Sequence, residues 1–153
     1  MSATLTQKSA RAAFEEALRK HLAQRREDSA GVPNASGIRE GIDLAALDQI
    51  QKRLGLSQEV LERTLSVSAR TLQRRRKGDQ RLTAAESDRL WRLLHIFDLA
   101  LEAFGDREEA ARTWLTTPHP LLQHETPLER LDTEPGLREV EDMLTVIDET
   151  AAA

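Results

Sequence analysis

Three residues, Ser66-Val67-Ser68, separate two segments that each place apolar side chains at helical spacing, and so short a connection forces two helices into a tight turn. The first segment opens at Ser57, a good capping residue, and turns Val60, Leu61 and Leu65 inward. The second, ARTLQRRRKG at residues 69–78, has Ser68 placed to cap it. Five of its ten residues are Arg or Lys and only Leu72 is large and apolar, so it cannot be a core helix. It must lie on the surface, with Leu72 anchoring it against Leu61 and Leu65. That is the reading of a helix-turn-helix. The chain departs from the repressor type at two positions: Glu62 stands where a small residue is usual and Ser66 where Gly is usual.

A helix anchored in this way offers the start of its outer face to a major groove, here Ala69, Arg70, Gln73 and Arg74. Arg reads guanine O6 and N7 with two parallel hydrogen bonds, which makes Arg70 and Arg74 the expected base readers. Arg75, Arg76, Lys77 and Arg81 are the expected phosphate contacts, with Ser57 and Gln58 bonding the DNA backbone from the preceding helix. The alternative is a solvated basic helix paired with acidic residues. The turn spacing, the Ser68 cap and the single apolar anchor favour the first reading, which charge alone does not decide: residues 55–93 carry nine cations against five anions, whereas residues 125–153 carry two against nine.

The remaining segments are also helical in pattern. Aromatic residues are 3% of the chain, Tyr is absent and β-branched residues are scattered, which disfavours a sheet. Residues 6–26 repeat apolar positions through Phe14, Leu18 and Leu22 and predict an N-terminal helix whose stripe, anchored by Phe14 and Leu18, packs against another subunit or back onto the central module, with self-association the favoured use. Residues 27–41 hold three of the seven Gly without periodicity and read as a linker. Asp43 then opens a helix through Leu47, Ile50 and Leu54, with Gly55 as a left-handed cap. Thr83 and Glu86 form a capping box for a long helix carrying Leu90, Leu93, Leu94, Phe97, Leu101 and Phe104. Gly105 stops it, and Asp106 with Glu109 reads as a second capping box opening a short helix through Trp114. Pro118, Pro120 and Pro127 bend the chain before a last helix, capped by Thr133, with Leu137, Val140, Leu144 and Ile147 as its stripe. The expectation is an all-α fold in three parts: residues 1–42, an N-terminal helix and linker; 43–106, the helix-turn-helix domain; and 107–153, a C-terminal helical region.

Catalytic readings fail on residue types. Without Cys there is no thiolate nucleophile, thiolate zinc site or iron–sulfur cluster. His119 and His124 lack a third ligand of suitable spacing, the Gly residues are dispersed rather than gathered in a phosphate loop, and Ser57, Ser66 and Ser68 are explained by caps and turns. Trp91 and Trp114 fall on helical stripes and read as core or interface. No enzyme, cofactor or metal is expected. With no long apolar run and no signal-peptide core in residues 1–20, the expected location is the cytoplasm.

Four pieces together resemble one family: GLSQEVLERTLSVSARTLQRR, RLTAAESDRLWRLL, the AFGD turn ending at Asp106, and AARTWLTTPHPLLQHETPLERLDTEPG at residues 110–136. The chain resembles the Xre/MbcA/ParS antitoxins from about Leu47 to Ile147. The resemblance implies an all-helical antitoxin that binds operator DNA through its central module and a RES-domain toxin, an enzyme that attacks NAD, through its C-terminal region, covering the toxin's active site. It assigns Trp114, Leu115, Pro118, Thr126, Pro127, Leu128 and Gly136 to the toxin-binding framework, with contacts from the last helix at Leu137, Val140, Glu141, Leu144, Ile147, Asp148 and Glu149. A homodimer, joined with toxin into a larger hetero-oligomer, is the implied assembly. Members often carry Gly where Gln123 or His124 stands, and a Tyr-Gly or similar pair after the last helix where this chain ends in Asp148-Glu149-Thr150 and three Ala. The concentrated negative charge suits a basic cleft that holds an anionic dinucleotide, with Glu139, Glu141, Asp142, Asp148 and Glu149 in the place of phosphates. The competing expectations are a stand-alone transcriptional regulator without a toxin partner, and an inhibitor that no longer binds DNA.

Overall fold

In the computed structural model, residues 35–153 except Asp79 are described, and they form α1 (Ala35–Glu40), α2 (Leu44–Leu54), α3 (Gln58–Leu65), α4 (Ala69–Lys77), α5 (Ala84–Ala103), α6 (Glu108–Thr116) and α7 (Glu134–Ala152). Two 3-10 turns, Pro120–Leu122 and Glu129–Asp132, lie between α6 and α7. Five of the helix starts follow directly from the capping residues of the sequence. Asp43, Ser57, Ser68, Thr83 and Thr133 each accept a backbone N–H three residues ahead, and Thr83 with Glu86 completes the reciprocal capping box.

The ends of the helices are set by left-handed residues. Ser66 and Val67 donate to the carbonyls of Arg63 and Glu62, and Gly105 and Asp106 donate to those of Glu102 and Leu101. Both are Schellman motifs, in which the first residue past the helix turns left-handed. At α5 that residue is Gly105, φ 61°, which adopts the conformation without strain. At α3 it is Ser66, φ 54°, so the turn keeps its shape with a side chain in the place usual for Gly, and buried Val67 packs beneath it. Gln123 and His124 are left-handed as well, at φ 57° and 65°.

α5 is the hub. At 20 residues it is about 30 Å long, and α1, α3, α6, α7 and the second 3-10 turn pack against it. Its Leu90, Leu93, Leu94, Ile96, Phe97, Ala100 and Ala103 are buried on several sides, while Leu101 and Phe104 are only half-buried. Residues 41–43 run beside 81–82 in a short extended contact, Leu82 N–H donating to the Ile42 carbonyl at 2.9 Å. Buried Ser87 accepts the Ile42 N–H at 3.0 Å, which accounts for a polar residue in the core. This clasp brackets the helix-turn-helix between its own two ends.

Two expectations are corrected. The described end of the linker, Ala35–Glu40, is helical and packs on α5; one and a half turns are too short to display a 3.6-residue period, and tertiary contact stabilises what local propensity would not. Asp106 does not cap α6. It is consumed as the second residue of the α5 Schellman motif, with φ 59°, and α6 begins after Arg107 without a side-chain cap. The N-terminal helix and its Phe14 and Leu18 anchors lie outside the described residues.

Candidate nucleic-acid interface and C-terminal module

Leu72, fully buried, seats α4, and the opposite face presents Ala69, Arg70, Gln73 and Arg74, all exposed. Ser68 Oγ accepts the Thr71 N–H at 3.2 Å and fixes the helix start. Arg70, Arg74 and Lys77 have no ion-pair or hydrogen-bond partner for their side chains among the described residues, so their donors face solvent. The three remaining cations are engaged within the fold. Arg75 reaches Glu86 at 2.5 Å, with side chains only 15% and 11% exposed. Arg76 reaches Asp48 of α2 at 2.6 Å, and Arg81 donates to the Gly41 carbonyl at 2.9 Å. The expectation that Arg75 is a phosphate contact therefore needs correction: its charge is already neutralised in a largely buried pair that ties α4 to the start of α5. Ser57 spends its oxygen on the Val60 N–H, and Gln58 donates to Glu62 at 2.7 Å, although both are exposed beside α4's neighbour helix.

Glu86 sits between opposing effects. Burial pushes its pKa up, but hydrogen bonds from Arg75 and the Thr83 backbone, together with Arg75's charge, outweigh that and hold it below the usual carboxylate value. Asp98 behaves oppositely. It lies 3.0 Å from Arg53, yet burial dominates the attraction to Arg53 and His95, and its pKa is raised. The pair is half-exposed, so Arg53's charge is partly screened by solvent, which is why distance alone misleads there.

Arginines also stitch the two halves together. Arg89 donates to the Leu65 carbonyl and caps the end of α3. Arg112 of α6 donates to the Leu54 carbonyl at 2.7 Å, capping α2 from the C-terminal side of the chain, while pairing with Glu108. These partners, with Asp48 and Glu86, lie 11 to 58 residues apart in sequence and no local pattern announces them. The capping box alone pointed to Glu86.

In the C-terminal region, Pro127, Leu128, Gly136, Leu137, Val140 and Leu144 are buried within the chain itself. The stripe of α7 closes this fold against α5, so these six are internal supports and not exposed contact residues; Ile147 is half-buried. Gly136 has a specific reason: a Cβ there would stand 2.1 Å from the Arg130 carbonyl oxygen, so only Gly lets α7 cross the preceding turn. Arg130 lies against Glu125 at 3.1 Å and Glu139 at 3.7 Å and donates to the Leu122 carbonyl. Thr126 donates through N–H and hydroxyl to Glu129. Glu141 meets His95 at 2.7 Å, and His95 stacks on Trp91 at 5.1 Å. Glu139 and Glu141 are thus paired, whereas Asp142, Asp148 and Glu149 are exposed.

Among the described residues, two concave surfaces flank these elements. One, about 480 Å³, is an apolar groove between half-buried Phe104 and Trp114, whose rings are 6.1 Å apart. The other, about 450 Å³, separates α3 at Val60 and Arg63 from Thr116, Thr126, Glu129 and Asp132. Pro118 is exposed nearby in sequence. The described residues contain no cluster of three His, Asp or Glu suited to a metal ion, and no helix among them is long and apolar enough to cross a membrane.

Residues 33–95 match the family described as the antitoxin Xre-like helix-turn-helix domain, and residues 99–149 match the antitoxin Xre/MbcA/ParS C-terminal toxin-binding domain. The junction falls inside α5, which serves both. The chain is 33% identical over 116 residues to an antitoxin Xre of Yersinia enterocolitica, covering 76% of this chain and 78% of that protein. It is 31% identical over 125 residues to an antitoxin Xre of Photorhabdus laumondii, covering 77% and 84%. A third antitoxin Xre, of Pseudomonas putida, is 42% identical over 89 residues, covering 58% of this chain and 55% of that protein.

Proposed function

Because this chain belongs to the Xre/MbcA/ParS antitoxin family, a family of non-enzymatic regulators, we propose that it neutralises a RES-domain toxin and represses its own operon by binding operator DNA. The observation that carries the DNA-binding half is the set of free cations on α4. Arg70 and Arg74 stand on an anchored, exposed face with no internal partner among the described residues, the arrangement that a major groove requires. Lys77 and Arg76 flank that face as phosphate contacts, and Ser57 and Gln58 sit at the start of α3, where a DNA backbone passes.

For the toxin, the contact surface is built from what α7 and α6 leave outside. Trp114, Pro118, Thr126, Ile147, Asp148 and Glu149 are exposed or half-exposed, with Asp142 beside them, whereas the buried residues of the same region hold them in place. Asp142 and Glu149, seven residues apart, share one side of α7, with Asp148 about a third of a turn away; exposed acids there suit the basic cleft of an enzyme that binds an anionic dinucleotide, and occlusion of that cleft stops turnover without any chemistry by the antitoxin. A homodimer would place two α4 helices about one DNA turn apart and read an inverted repeat. The two functions meet on α5, which the two matched domains share. Binding of purified protein to a duplex carrying its own promoter, compared with a random duplex across a salt series, tests the DNA half. Co-purification with a RES-domain protein encoded beside it tests the other.

A further inference from the structure

Arg76 and Asp48 face each other at 2.6 Å across α4 and α2, with side chains 32% and 49% exposed. Neither has another ion-pair partner among the described residues. Asp48 is therefore an anion placed against the very edge of α4 where a DNA phosphate would approach. Arg75 is committed to Glu86 in a far more enclosed pair, so Arg76 is the one cation of the basic run held by a partner that solvent can reach. Arg70, Arg74 and Lys77 carry no such counter-charge among the described residues.

Resting on the DNA-binding reading, we infer that Asp48 is a built-in competitor for phosphate that restrains the affinity of α4 for DNA: a phosphate engaging Arg76 must displace the Asp48 carboxylate. The exchange replaces one charge-assisted hydrogen bond by another, so Arg76 contributes little net attraction while Asp48 is present. The pair also keeps the long Arg76 side chain off the outer face in the free protein, which lowers unselective attraction to any duplex. Sequence discrimination then rests on Arg70 and Arg74, whose donors are free. The competing geometry is that Asp48 aims Arg76 at the DNA, in which case its removal weakens binding.

The two are separated by Asp48→Asn, which keeps shape and removes charge. Its affinity for a random-sequence duplex should rise by about two- to fivefold at low salt. The slope of log affinity against log salt should steepen by about one, as one more phosphate is neutralised. In an Arg76→Gln background the same substitution should change affinity by much less, and thermal melting should show both variants folded. Unchanged or weaker binding by Asp48→Asn, or an equal gain with and without Arg76, would overturn the inference while leaving α4 as the reading helix. Absence of DNA binding by the wild-type protein at every salt concentration would overturn the DNA-binding reading and this inference with it.

Discussion

The Glu86 carboxylate receives the Arg75 guanidinium at 2.5 Å and the Thr83 N–H at 2.8 Å through the same oxygen, so one side chain both starts α5 and fixes the flank of α4. Glu86→Gln keeps part of the cap but leaves Arg75 enclosed without its charge partner. At neutral pH it should lower stability by about 2 kcal/mol. Because the folded pKa of Glu86 is depressed, the wild-type advantage is present above its ordinary value of 4.5 and is lost as pH falls through the lower folded value. Thermal melts of both proteins across that range should converge at the acid end.

Asp98→Asn should behave differently despite a similar ion-pair distance. Burial raises the Asp98 pKa, so ionising it as pH rises above 3.8 costs stability in the folded state. With both partners half-exposed, removing the charge should leave stability within about 0.5 kcal/mol at neutral pH. Denaturant midpoints of the two substitutions side by side check this contrast.

Gly136→Ala should be costly. The added Cβ would stand 2.1 Å from a backbone oxygen that cannot swing aside, so α7 must shift from its bed on α5, at about 2–3 kcal/mol. Gly105→Ala meets no atom within 4 Å and carries only the left-handed penalty of about 1 kcal/mol. Equal melting temperatures for the two variants would refute the close-approach explanation.

On DNA, Arg70→Ala should cost about 1–3 kcal/mol at the cognate site and relax preference at one base pair, whereas Lys77→Ala should weaken all sequences alike and reduce the salt slope by about one. Competition titrations against single-base operator variants distinguish them. Equal affinities of Arg70→Ala and wild type would remove Arg70 from the readout.

What was legible in the sequence was whatever short-range chemistry writes. Asp43, Ser57, Ser68, Thr83 and Thr133 marked helix starts because capping is a contact between residues three apart, and Leu72 marked the anchor because nothing else on α4 is apolar. Asp106 failed for the same reason that those succeeded: a local capping pattern was present, but the α5 terminus had already claimed the residue. Arg75 and Arg76 read as phosphate contacts like Lys77 because charge alone does not reveal a partner 11 or 28 residues away. An apolar stripe by itself does not say whether it closes the fold or meets a partner, and packing against α5 makes Leu137, Val140 and Leu144 internal where the resemblance implied toxin contacts. Truncating α7 would thus damage the core as well as any partner surface, and a surface substitution is the cleaner probe.

The most direct test of the account is growth of cells that co-express a RES-domain toxin, the proposed partner, with this chain, either wild type or carrying Asp142→Lys, Asp148→Lys and Glu149→Lys together. All three acids are exposed, so the variant should fold and keep binding promoter DNA. The account predicts that wild type restores growth and co-purifies with the toxin, and that the charge-reversed variant does neither. Full protection by the folded variant would contradict occlusion by the exposed acids of α7, and failure of the wild type to protect would contradict its action on that toxin altogether.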